Sequence, residues 1–198
     1  MMKPTPHRPT TEFQLAEVAG WRALLTEAQH VARRYLPPLV DDYVIRLLYR
    51  AVGQPNRQVG EDARAVLERM AREDALHQID FGTIGDQSLI FGGLFPEQAI
   101  AKGIPLAYFI QAGSNAYREY ASLANDPARR ALYSALADHF VASIDALHTL
   151  RDLQQNSPCI DALNAYQLWT EAGSTYAWHV LRQVTSALPS GAGTLVRH

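Results

Sequence analysis

Apolar residues recur along most of this chain at the three- and four-residue spacing of an amphipathic helix. After Thr11, the positions Val18, Trp21, Leu25, Ala28, Ala32 and Tyr35 fall on one helical face. Pro37 and Pro38 close that helix and open a second, since proline suits a helix's first turn and not its interior. The second helix carries Leu39, Tyr43, Val44, Leu47 and Leu48 and stops at Gly53-Gln54-Pro55-Asn56. A third is expected over residues 59–79, with Ala63, Val66, Leu67, Met70 and Leu76 inward. Residues 80–104 interrupt the pattern. Glycines at 82, 85, 92 and 93 stand among large apolar side chains, and Asp86 suits the N-cap of a short helix. Pro96 to Gly103 reads as another short turn. Regular helices resume over 105–124, over 127–154 behind an Asp126 cap and Pro127, and over about 158–187 behind Ser157-Pro158. No stretch alternates apolar and polar residues between hairpin turns. The expected fold is all-α: a helical bundle of five long helices plus one or two short helices in a broken connector. Residues 1–10 and 189–198 are expected as tails flanking a single domain over 11–188.

The chain has 198 residues, 47% of them hydrophobic, enough to bury a sizeable core. Its formal net charge of −2 gives no basic excess, so nucleic acid is not an expected partner. One cysteine, Cys159, excludes an internal disulfide. The N-terminus lacks a signal-peptide apolar core, and the longest apolar run, residues 89–95, is too short to span a bilayer. The cytoplasm is therefore the expected compartment.

Three acid-x-x-His units carry the sharpest candidate chemistry: Glu27/His30, Asp74/His77 and Asp145/His148. A separation of three sets carboxylate and imidazole on one side of a helix, where both reach one metal. Ferritin-like di-iron proteins place such pairs on two helices and single glutamates on two others. The candidate ligands are Asp74, His77, Glu119, Asp145 and His148, with iron as the metal of an oxidase. Aspartate in place of glutamate shortens the reach. Glu27 falls roughly 200° from the inward Leu25 and should meet solvent. The competing reading makes these residues helix-surface pairs and hydrogen-bonded core histidines.

A second candidate is the glycine-rich connector itself. Phe91, Leu94 and Phe95, with Tyr108, would form an apolar surface for a protein partner or a second copy. A third is a small-molecule pocket between the look-alike segments Ala112-Gly113-Ser114 and Ala172-Gly173-Ser174, lined by Tyr117, Trp169, Tyr176 and Trp178. Cys159 reads as a small residue in a helix's first turn. With no nucleophile-base pair or phosphate loop in view, a binding or regulatory module acting through protein contacts is the first expectation, the di-metal oxidase the second.

The segment Gly85-Asp86-x-x-Leu89-x-x-x-Gly93-Leu94-Phe95-Pro96, followed by Tyr108 and Gly113-x-x-Ala116-Tyr117, resembles a pattern found in uncharacterised bacterial all-helical proteins. It spans about a sixth of the chain. The resemblance implies an all-helical bacterial protein and carries no chemistry.

Overall fold

The computed structural model describes residues 11–52 and 81–186, and all regular structure among them is helical. The helix expected over 59–79, with Asp74 and His77, lies outside the described residues. The helices are α1 (Thr11–Ala32), α2 (Pro38–Val52), α3 (Phe81–Leu94), α4 (Pro96–Ala101) and α5 (Leu106–Leu123), then α6 (Pro127–Asp138), α7 (Phe140–Gln155), α8 (Ala162–Ala172) and α9 (Thr175–Ser186).

The expected broken connector is instead a full helix, α3, and it lies in the core. Ten of its fourteen residues are buried, including Leu89, Ile90, Phe91 and Leu94. A helix apolar on all sides belongs inside. Each interior glycine lowers helix propensity by about 1 kcal/mol relative to alanine. Close packing offsets that cost. A Cβ on Gly85 would stand 2.2 Å from the Tyr117 ring of α5, and one on Gly93 2.5 Å from Leu147 of α7. Bare backbone thus lets α5 and α7 seat directly against α3. Asp86 is not an N-cap. It sits mid-helix, and its Oδ1 accepts hydrogen bonds from Tyr43 of α2 (2.6 Å) and Tyr117 of α5 (2.8 Å), while Arg50 approaches Oδ2 at 3.3 Å. One carboxylate thereby joins three helices, and Tyr133 of α6 closes the ring cluster 5.6 Å from Tyr117.

Two expected helices are divided. The 127–154 helix bends at His139 (φ −103°, ψ 17°), where α6 ends and α7 begins. Ser143 donates its hydroxyl back to the His139 carbonyl at 3.0 Å, a bond that draws a helix out of line. The 158–187 helix is two. Asp161, not Ser157, caps α8, accepting the Asn164 N–H at 2.8 Å. Gly173, at φ 67°, ends it in the left-handed conformation that glycine adopts without strain. The Asp126–Pro127 start is as expected, the Asp126 carboxylate accepting from the N–H groups of Ala128 and Arg129.

No helix among the described residues is long and apolar enough to cross a membrane.

Candidate functional site

The candidate chemistry gathers on α7. Asp145, His148, Thr149 and Asp152 follow one another at three- and four-residue spacing, so they share a face. Asp145 and His148 are fully buried and Thr149 nearly so. Each polar group on this seam meets the end of another element.

Asp145 meets the start of α9. Its Oδ1 accepts the Ser174 hydroxyl at 2.5 Å, and its Oδ2 accepts both the N–H (2.9 Å) and the hydroxyl (2.8 Å) of Thr175. Arg34, just past α1, stands 3.6 Å from Oδ2. Ser174 in turn caps α9, accepting the Ala177 N–H at 3.0 Å. A buried anion at a helix N-terminus satisfies orphan donors and complements the dipole.

His148 meets the end of α3. Its Nε2 lies 2.7 Å from the Gly92 carbonyl. That carbonyl would ordinarily accept from the residue four later, which is Pro96 and has no N–H. The histidine supplies the missing donor. Arg151, one turn further, does the same for the Leu94 carbonyl and pairs with Glu97 at 2.6 Å. The carbonyl oxygen can only accept, so Nε2 carries the proton. Nδ1 is buried with no partner among the described residues. Burial pushes the imidazole's pKa below its ordinary 6.5. The ring lies 4.9 Å from that of Tyr176.

Asp152 lies toward the surface. Its Oδ1 accepts the Cys159 N–H (2.9 Å) and the Tyr176 hydroxyl (3.1 Å). Burial raises its carboxyl above the usual range, against the lowering effect of these hydrogen bonds. Burial also pushes the Cys159 thiol up to about 12, with Tyr176 Oη 3.4 Å from Sγ. Cys159 sits in the loop before α8, not in a helix's first turn, and thiolate chemistry has no support there. Asp152, Tyr176 and Leu153 line a cleft of about 420 Å³ at the junction of α1, α7 and α9.

Of the expected metal ligands, the three among the described residues, Glu119, Asp145 and His148, do not form a shared donor set. Glu119 is exposed on α5, while Asp145 and His148 are committed to the ends of α9 and α3. Asp74 and His77 lie outside the described residues. Among the described residues, no three His, Cys, Asp or Glu side chains are grouped to hold a metal ion. Glu27 is exposed, as its helical angle implies.

The expected partner surface is likewise relocated. Phe91 and Leu94 are core residues, 4% and 7% exposed, because the C-terminal half of α3 is buried. Phe95 is half-buried, and Tyr108 alone of the four is exposed. The two Ala-Gly-Ser segments do not face a shared pocket. Gly113 is pressed against Phe140 and Ser88, whereas Gly173 is a helix end with open space beside it. Tyr117 is fully buried and donates its hydroxyl to Asp86. Trp169 and Trp178 pack together at the surface instead, ring centroids 4.8 Å apart, with Tyr166 6.3 Å from Trp169. Both tryptophans are about 40% exposed, Tyr166 55% and Leu163 68%. Spacing three along α8 would have linked Leu163, Tyr166 and Trp169 as one stripe. The turn at Gly173 that brings Trp178 beside them was hidden by the expectation of a continuous helix.

The chain matches no protein-family model, no curated protein and no solved structure, and its function is argued from its own chemistry.

Proposed function

We propose that the chain is a binding module acting through protein contacts, with the aromatic strip of α8 and α9 as its contact surface and a second copy of the same chain as its partner. The observation that carries the reading is the exposed run Leu163, Tyr166, Trp169 and Trp178. Tyrosine and tryptophan dominate the energetics of protein interfaces, because they bury large area with few rotatable bonds. Two of the chain's three tryptophans lie in this strip. Such aromatic patches on a rigid scaffold mark contact sites more than ordinary surface. The capped start of α8 and the Asp145-anchored start of α9 hold the two helices in fixed register. A formal net charge of −2 sets little repulsion between copies, and a symmetric pairing lets one self-complementary strip serve both partners.

Tryptophan emission tests the reading. On raising the protein concentration, the native chain should shift to shorter wavelength as the indoles leave water. The Trp169→Ser/Trp178→Ser double variant, retaining Trp21 alone, should show no such shift. Emission independent of concentration in the native chain would count against self-association.

A further inference from the structure

The cleft at the junction of α1, α7 and α9 is independent of the aromatic strip and has its own chemistry. Its volume of about 420 Å³ falls in the range of small-molecule sites. One wall is apolar: Val31 from α1, Leu153 from α7 and Val180 from α9. Val31 and Leu153 are exposed aliphatic side chains, 55% and 38% accessible, at its edge. The opposing chemistry is anionic. Asp152 is the only acidic side chain on the lining, and no lysine or arginine lines the cleft among the described residues. The neighbouring Arg151 is turned away to the Leu94 carbonyl and Glu97. Asp152 accepts the Cys159 N–H and the Tyr176 hydroxyl on Oδ1, and no cation of the described cleft lining pairs with its carboxylate. His179 stands at the rim, its Nδ1 donating to the Thr175 carbonyl at 2.7 Å.

We propose that this cleft is a binding site for a small organic amine, with the ligand's ammonium on Asp152 and its apolar body against Val31, Leu153 and Val180. An ammonium matches the single carboxylate of a lining that holds no lysine or arginine among the described residues, and the aliphatic wall disfavours a purely polar ion. Burial raises the Asp152 carboxyl above its usual range, and a cation beside the carboxylate offsets that cost. An anionic ligand meets the opposite balance, and a neutral alcohol gains only the apolar contact.

Calorimetric titration of the full chain with 2-phenylethylamine, 2-phenylethanol and 3-phenylpropionate tests the assignment. The amine should bind with a Kd of about 1 mM or tighter, and the alcohol and the carboxylate at least about tenfold more weakly. Asp152→Asn, which keeps an acceptor oxygen for Cys159 and Tyr176, should weaken amine binding by at least about tenfold. Leu153→Lys changes only an exposed edge residue and places a competing ammonium beside Asp152; it should also abolish the heat. If Asp152→Asn fails to fold, as judged by its melting curve, the Leu153→Lys result decides. Equal binding of alcohol and amine, unchanged affinity in the folded variants, or no amine binding by the native chain would each overturn the proposal.

Discussion

His148 carries its proton on Nε2 because a proline four residues beyond Gly92 leaves that carbonyl without a helical donor. Protonating Nδ1 as well would bury an N–H with no acceptor among the described residues. Folded His148 therefore stays neutral below its ordinary 6.5, while the unfolded chain takes up the proton. The sign follows from linkage: this contribution to stability is complete above pH 6.5 and is lost as the pH falls below it, by at most about 1.4 kcal/mol per pH unit. Denaturant unfolding between pH 5 and 8 should show that loss, and His148→Gln, which keeps a donor for Gly92, should remove it. A second expectation concerns Cys159. With its thiol raised to about 12, native protein at pH 8 should react with a disulfide reagent far more slowly than unfolded protein. Comparable rates would contradict the half-buried, hydrogen-bonded thiol. At this scale the sequence was legible in direction and not in destination. The three-residue spacing does set Asp145 and His148 on one face, as read. Spacing alone does not say whether that face meets a metal or the ends of other helices. The deciding residues, Gly92, Pro96, Ser174 and Thr175, lie far off in the chain.

Helices in this protein are located by their ends and by their glycines. Asp145 anchors the start of α9 from α7 through three hydrogen bonds. Asp145→Asn would turn an amide toward the donors of Ser174 and Thr175 and remove the charge that Arg34 faces, leaving Arg34 only its hydrogen bond to the Thr175 hydroxyl among the described residues. The expected loss is about 3 kcal/mol in denaturant unfolding. Arg34→Ala, half-exposed, should cost about 1 kcal/mol or less. The glycines divide by what they touch. Gly85→Ala drives a Cβ into a Tyr117 ring held by Asp86 and should cost about 2–3 kcal/mol. Gly173→Ala meets no atom and should cost only about 1 kcal/mol, for its left-handed backbone. The reverse order would refute the packing argument. Periodicity and proline punctuation located α1, α2, α5 and the start of α6. They failed where glycine was read only as a breaker, in α3, and where a bend had no proline or glycine to mark it, at His139. Ser143 was the available signal there, four residues on and able to bond back. The likeness of the two Ala-Gly-Ser segments was no guide, since one lies within a helix and the other ends one.

At the scale of the molecule, the buried α3 and the polar seam of α7 organise the interior, and the aromatic strip of α8 and α9 is what the described surface offers outward. All-helical architecture was legible because nothing in the chain alternates as strands do. The contact surface was not, because Phe91 and Leu94 read as exposed only while α3 was taken for a loop, and because Trp178 joins Trp169 across a turn. The account rests on the strip acting as an interface between copies. Its most direct test is the molar mass by light scattering over a dilution series of native chain and Trp169→Ser/Trp178→Ser variant. The native protein should rise toward twice the chain mass of 22.0 kDa with concentration, and the folded variant should stay at 22.0 kDa. A native mass of 22.0 kDa at every concentration, or a variant that dimerises equally well, would contradict it.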